Sequence, residues 1–425
     1  MPSFSSLTFP LAPKHETRLL LTLAGIQFTH ILDFMIMMPL GPLLTRFFGL
    51  STGQFGLLVS TYTFCAAIAA IGAATVIERF NRRHVVLGLY AGFIVATAAC
   101  AAAPSYITLL IARGVAGMFG GVLGAMVQTY IGDTIAYERR GRATGMVMAA
   151  FSLSTVAGVP LGLLAANHVP ALSWRAPFLF AALLATGFWW LGYQVLPPIA
   201  SRLEDKRISH ALAPMWEVLR HPNHWRAFAF MVLMMMGGFT VIPYITLYST
   251  ANVGLAEHLL PVMYLAGGSL TFFTARLFGR LADRYGKART FRFIAAASVL
   301  PILAVTHMPK VPAWVVILNA SFFFVLVSGR FVPGMAMVTS AALPHLRGTF
   351  MSLNSAVQQS ASGLAALIAG MIISRNTAGM LEHYNIVGYV AVSATLGGIL
   401  LAGSVRPADA GEVEVAEPKF KKPLP

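Results

Sequence analysis

Twelve apolar stretches recur along this 425-residue chain, at about residues 19–45, 53–77, 85–104, 106–132, 144–167, 175–197, 227–250, 258–281, 290–308, 312–341, 348–374 and 384–404. A helix rises about 1.5 Å per residue and the hydrocarbon core of a bilayer is about 30 Å thick, so about 20 apolar residues cross it. Inside hydrocarbon every backbone N–H and C=O needs a partner within the protein, which leaves helices or closed barrels. These runs are about twice the length of a barrel strand and read as helices. The expected fold is an all-α membrane protein of twelve transmembrane helices.

Charge supports this reading. Only 11% of residues are charged and mean hydropathy is +0.72, whereas a soluble domain carries about a quarter charged residues. Net charge is +15, a value that in a soluble chain would point to nucleic acid. Placement decides otherwise. About 24 of the 30 Lys and Arg fall on the side shared by both termini, and the positive-inside rule puts that side in the cytoplasm. Arg46, Arg175, Lys310 and Arg375 fall on the opposite side, and Arg113 and Arg330 fall within spans. The basic residues then face the cytoplasmic leaflet, and nucleic-acid binding is not expected. The first run is longer than a signal-peptide core and shows no cleavage site, so it reads as a retained helix after a short cytoplasmic leader. Cys65 and Cys100 lie in apolar runs without metal or disulfide spacing and read as small core residues. Trp174, Trp225 and Trp314 sit at span ends and read as interfacial anchors.

The longest polar stretch, 198–225, divides the chain into six helices and six. The expected organisation is an N-terminal bundle (1–197), a cytoplasmic central loop (198–225), a C-terminal bundle (226–404) and a cytoplasmic tail (405–425). The halves echo each other. Glu78-Arg79-Phe80-Asn81-Arg82-Arg83 follows the second span, and Gly279-Arg280-Leu281-Ala282-Asp283-Arg284-Tyr285-Gly286-Lys287 follows the eighth. Arg140-Gly141 and Arg347-Gly348 precede spans five and eleven. A six-helix unit repeated at about 205 residues is a mark of secondary transporters.

These motifs resemble those of the major facilitator superfamily, over nearly the whole chain. Gly279–Lys287 is similar to its signature loop between the second and third helices of a half, and Glu78, Arg79 and Arg82 form a divergent first copy. Arg113 with Leu109 and Gly117 resembles the family's arginine motif, and Asp133 with Arg140 its turn between helices four and five. Leu32-Asp33 with Pro39 resembles the acidic first-helix motif of drug and sugar exporters, and Gly158-Val159-Pro160-Leu161-Gly162 a variant of arabinose-efflux-like permeases. The resemblance implies two pseudo-symmetric six-helix bundles, a cavity lined by helices 1, 4, 7 and 10, and a monomer in a bacterial inner membrane. It also implies charge-lock gating by Glu78, Arg79, Arg82, Asp133, Arg140, Gly279, Asp283, Arg284, Gly286 and Lys287. Plain positive-inside anchoring by Arg284 and Lys287 is the alternative.

Of fifteen carboxylates only Asp33 lies deep within a span. A charged Asp at a helix centre costs roughly 2.5–3.5 kcal/mol on insertion scales, so it needs a partner, a wet cavity or a proton. His30 lies one turn away on the same face. Asp33 with His30 is therefore the candidate proton-coupling group, and a permanent structural pair of Asp33 with Arg113 is the alternative. Arg113 and Arg330 cannot shed their charge. The expectation is that Arg113 pairs with Asp33 in one state and that Arg330 meets the substrate, with carbonyl capping near Pro333 and Gly334 as the alternative for Arg330. Tyr62, Tyr244, Asn354 and Gln358 are further candidate cavity residues, the last two one turn apart on one face. Glycines 114, 117, 120, 121 and 124 form a stripe on helix four that allows close helix approach.

The expected activity is proton-coupled export of a small amphipathic drug, sugar or metabolite by alternating access, with an uptake symporter or uniporter as the alternative. The partners are a small-molecule substrate, protons and the bilayer. No catalytic residue, metal or cofactor is expected. A membrane-embedded enzyme would need a nucleophile with its base or a ligand cluster beside His30 and Asp33, and the spans carry neither.

Overall fold

The computed structural model describes residues 13–408, apart from 77–79, 136, 170 and 199–207. Glu78 and Arg79 lie outside the described side chains. The first half runs through α1 (Pro13–Ile36), α2 (Gly41–Phe48), α3 (Thr52–Val76), α4 (Arg82–Ala102), α5 (Tyr106–Thr134), α6 (Tyr137–Leu153), a π-helical turn (Ser154–Gly158), α7 (Val159–His168) and α8 (Ala176–Val195). α9 (Ile208–Arg220) connects to the second half: α10 (Pro222–Phe239), α11 (Ile245–Tyr248), α12 (Leu260–Tyr285), α13 (Lys287–Thr306), α14 (Ala313–Gly329), α15 (Phe331–Ser340), α16 (Arg347–Ile372) and α17 (Tyr384–Leu401). The strands β1 (Ser374–Arg375) and β2 (Leu381–Glu382) form a small antiparallel hairpin between α16 and α17.

Ten helical segments are long and apolar enough to cross a membrane. α12 and α16, each 26 residues, are long enough but diluted by charge or by amides: Arg276, Arg280, Asp283 and Arg284 in the first, Asn354, Gln358 and Gln359 in the second. Both are packed among the other spans, α16 along α3 and α12 along α7 and α14. With these two the described residues make twelve crossings. Their outward faces are apolar, as at Leu183, Phe293, Leu300 and Leu400, which is the solvation that hydrocarbon provides.

Proline explains where crossings are interrupted. The run at 19–45 is not one helix: α1 ends at Ile36, and Pro42 starts α2, since proline fits the first helical turn but not an interior. Pro333 cannot donate to the carbonyl of residue 329, and α14 gives way to α15 at Arg330. Pro160 likewise follows the π-helical turn of the fifth crossing. α5 begins on a capping box between Ser105 and Thr108. Gly286, at φ 91°, turns α12 into α13, a conformation that glycine adopts without penalty. α2 also folds over Trp174, which is buried against Phe47, Phe48 and Phe178. That indole is a core residue, unlike the exposed Trp225 and Trp314.

The apolar cores divide unevenly. At the end away from the termini one continuous cluster joins both halves, from Leu32, Phe55 and Phe178 to Tyr244, Leu260 and Val387. Towards the termini there are two clusters. One is built from first-half residues between Leu19 and Leu196, the other from second-half residues between Val218 and Val405. The halves are thus merged at the far end and separately cored at the near end.

Candidate functional site

The site grows from the crossing of α1, α3 and α5. α5 comes close to α3 because its stripe lacks side chains. A Cβ at Gly117 would strike the backbone of Tyr62, and one at Gly121 would lie 2.5 Å from the Cβ of Ala66. Close approach brings Arg113 of α5 to Asp33 of α1. Arg113 Nη1 donates to Asp33 Oδ2 at 2.8 Å and to the Asp33 carbonyl at 3.2 Å, and both side chains are 0% exposed. The guanidinium also lies 4.5 Å from the centroid of the Tyr62 ring, a cation–π contact that strengthens when desolvated. Phe34 packs against that tyrosine too, 5.4 Å between centroids with the rings tilted by 34°.

The ion pair is held by one nitrogen and one carboxylate oxygen. Asp33 Oδ1 and Arg113 Nε and Nη2 are buried beyond hydrogen-bond distance of any described partner, and the hydroxyl of Thr97 on α4 stands beside the carboxylate. Pairs of this kind cost more to break than to keep: removing one partner typically costs about 3–5 kcal/mol. His30 is half-buried, and its Nδ1 lies 3.1 Å from the Gln27 carbonyl. A carbonyl only accepts, so Nδ1 carries the proton and neutral His30 presents Nε2 as an acceptor.

Arg330 has a different environment. It is 1% exposed, its Nη1 donates to Thr395 Oγ1 at 2.9 Å and its Nη2 to the Met234 carbonyl at 3.3 Å. No carboxylate lies within ion-pair distance among the described residues. Gly237 of α10 leaves the room it occupies, since a Cβ there would lie 3.0 Å from Nη2. Arg330 caps a carbonyl, that of Met234 on α10 rather than one near Pro333. Asn354 is buried with Oδ1 unpaired, and Gln358, one turn on, is half-buried.

Tyr244 does not face open space. Its hydroxyl lies 3.2 Å from the Thr52 carbonyl and 3.1 Å from that of Ala366, so it donates across the junction of α3 and α16. This is the far-end seam between the halves. Thr52 Oγ1 also donates to the Ile373 carbonyl, and Arg46 pairs with Glu257 across the two halves. Gly56 and Gly370 let the two helices meet: a Cβ on either would strike Tyr244 Oη. Sequence reading missed this seam. Its only local signal is small residues on α3 and α16, over 300 positions apart, which nothing in the chain pairs.

At the near end Arg82 Nε lies 3.3 Å from Asp133 Oδ2, tying α4 to α5 within the first half. Arg139 pairs with Glu16 at 2.6 Å, and Arg140 Nε donates to the Ile135 carbonyl at 3.0 Å. Asp283, Arg284, Gly286 and Lys287 are all exposed, and Asp283 makes no ion pair among the described residues. Gly279 is half-buried within α12. Among the described residues the signature turn of the second half thus makes no ion pair, at the end where the cores are separate.

The family model described as Major Facilitator Superfamily matches residues 23–366. The chain is 23% identical over 369 residues to the MFS-type transporter YceJ of Bacillus subtilis (strain 168), covering 87% of this chain and 91% of that one. It is 22% identical over 392 residues to a probable sugar efflux transporter of Pasteurella multocida (strain Pm70), covering 92% of each. A crystal structure of a D-xylose-proton symporter superposes with a TM-score of 0.76 at 16% identity, over 93% of this chain and 98% of that chain.

Proposed function

The chain belongs to the major facilitator superfamily, and from that premise we propose that it is a proton-coupled exporter of a small neutral sugar or similar polar molecule. That it is a multi-pass membrane transporter and not an enzyme follows from the family. Direction, coupling ion and cargo are the proposed part. The observation that carries the coupling is the Asp33–Arg113 pair, fully enclosed on the first crossing. Among the described residues Asp33 is the only acid that is fully buried. A carboxylate there either keeps its cation or takes a proton, because a lone buried charge is too costly to persist. Proton uptake releases Arg113 from the pair, and the freed donors change the packing of α1 on α5. This makes the occupancy of Asp33 a bias on a two-state scaffold. The name of the Pasteurella relative supports export of a sugar.

With the basic face in the cytoplasm, in the bacterial inner membrane, the merged far end is the external seam and the described state is closed to the outside. The second-half loop with Asp283, Arg284 and Lys287 is then free at the cytoplasmic end, as a charge lock would be before the opposite swing. The bundles at 1–197 and 226–404 are the bodies that rock, each within a monomer. Arg82 and Asp133 hold α4 to α5 so that the first body moves as a unit. Asn354 and Gln358 supply hydrogen bonds to cargo. Tyr244 serves the seam, and Arg330 braces the second body.

Sided proteoliposomes test the reading, with radiolabelled lactose and a panel of neutral saccharides. An imposed pH gradient is expected to drive labelled sugar against its concentration in the wild type. In Asp33→Asn that drive should fall at least about tenfold, while sugar-for-sugar counterflow remains. Full pH-driven flux in the variant rejects Asp33 as the coupling group. Absence of flux for every saccharide rejects the cargo class.

A further inference from the structure

The buried acid has to exchange its proton with the near end, and Asp33 itself has no exposed surface. The structure shows what lies between. Tyr62 of α3 is 2% exposed and its hydroxyl has no hydrogen-bond partner. Its ring carries the Arg113 guanidinium, so its base is at the ion pair. Its Oη points elsewhere, into the gap left at Gly120, where a Cβ would collide with it. The same gap is bordered by His30: its Cδ2 lies 3.6 Å from where a Gly120 Cβ would stand, and its Nε2 lies 3.7 Å from that of Gly124. Gln27 Nε2 follows at 3.9 Å from the Gly124 position. Asp33, His30 and Gln27 therefore descend α1 towards the near end along a face that α5 leaves free of side chains, and Tyr62 Oη stands beside His30.

We propose that Tyr62 and His30 form the proton relay that connects Asp33 with the near face. The inference rests on the reading of Asp33 as the coupling group. The protonated carboxyl gives its proton to Tyr62 Oη through an intervening water. Tyr62 passes its own hydroxyl proton to His30 Nε2. Tyr62 ends neutral, Asp33 ends as carboxylate paired with Arg113, and His30 ends as imidazolium. His30, half-buried, then releases the Nε2 proton towards the near end. The ionisable groups facing this path are Arg113 from α5, Tyr62 from α3, Cys100 from α4 and His30 on α1 itself, with Tyr90 of α4 bonded to Thr29 at 2.6 Å behind it. Arg113 is the fixed cation that draws the carboxylate form back. The glycines at 120 and 124 are the second half of the arrangement, because any side chain there fills the space through which Tyr62 meets His30.

The test needs no cargo. Purified full-length protein in detergent is jumped in pH in a stopped-flow instrument, and a soluble pH dye reads proton release. Asp33→Asn should lose the component that corresponds to its own proton. Tyr62→Phe keeps the ring, its tilted contact with Phe34 and its cation–π contact, and removes only an oxygen that bonds nothing. It should therefore retain the amplitude of that component and the thermal stability of the wild type, but slow its rate by about tenfold or more. His30→Gln should slow it likewise, and the double variant should be no slower than the slower single. A Tyr62→Phe rate within about twofold of wild type overturns the relay while leaving Asp33 in place. An unchanged amplitude in Asp33→Asn overturns both the relay and the coupling role. A purely structural role for Tyr62 would alter stability and amplitude, and leave the rate alone.

Discussion

Gly370→Leu is expected to abolish transport and to leave the protein open at its far end. A Cβ at position 370 meets Tyr244 Oη, then the Thr52 carbonyl at 2.8 Å and the Gly53 Cα at 3.3 Å. Two of the three are backbone, which cannot swing aside as a side-chain tip can. The only relief is separation of α3 from α16, the two helices that carry the far-end seam. Overpacking of this kind costs about 1–3 kcal/mol, and applied to one state alone it shifts the ratio of states by roughly 5- to 150-fold. Leu247→Cys, placed in a background with Cys65 and Cys100 replaced, reports on the seam because Leu247 is buried there beside Gly41. Labelling by a membrane-impermeant maleimide should rise at least about fivefold when Gly370→Leu is added. Gly53→Ala is the internal control: a Cβ there finds the Gly370 carbonyl at 3.6 Å, an ordinary contact, and transport should survive. Unchanged labelling and wild-type flux in Gly370→Leu would show that the seam tolerates separation in every state of the cycle.

Arg113→Leu should be the most destabilising single change in the first half. It removes the cation from a carboxylate that has no exposed surface and whose second oxygen already lacks a partner. Breaking a buried pair from one side costs about 3–5 kcal/mol, whereas replacing both members together is close to neutral. The single variant should therefore lose most of its monodisperse yield in detergent and unfold at a lower temperature. Asp33→Asn with Arg113→Leu should recover most of that loss, with pH-driven flux still absent. Size-exclusion profiles and thermal unfolding of the four proteins, wild type included, measure the coupling between the positions. If Arg113→Leu were as stable as the double variant, the orphaned carboxyl would have taken up a proton at little cost, and the pair would contribute little to stability.

Much of the scaffold could be read from the chain because bilayer physics writes it locally. A crossing requires consecutive apolar residues, and basic loops alternate by side, so neither needs a distant partner to be seen. The meeting of Asp33 with Arg113 was legible for a related reason: with only one acid in the spans, an arginine buried nearby has one counter-charge to find. The glycine stripe on α5 announced a close approach, though not that Tyr62 would occupy it. Other features were hidden because they depend on pairing across the halves. Nothing near Tyr244 marks it as a tie to Thr52 and Ala366, and nothing near Gly56 points to Gly370. Trp174 looked interfacial by its position at a span end, and only the fold of α2 over it makes it core. Arg330 looked like a match for Arg113 by helix number, but glycines at 237 and 238 stand on α10 where α1 carries its acid.

That last difference has an electrical consequence. The duplicated scaffold holds two permanent cations in its interior, but only Arg113 faces a group that can change its charge; Arg330 is solvated by a hydroxyl and a carbonyl and stays as it is. On the proposed coupling role of Asp33, one titrating carboxylate limits the cycle to one proton at this position per turnover. When the cargo is uncharged, each exchange moves a single elementary charge through the membrane. That coupling makes transport electrogenic, and the resting voltage is then expected to contribute about 2.3 kcal/mol per ~100 mV alongside the pH gradient.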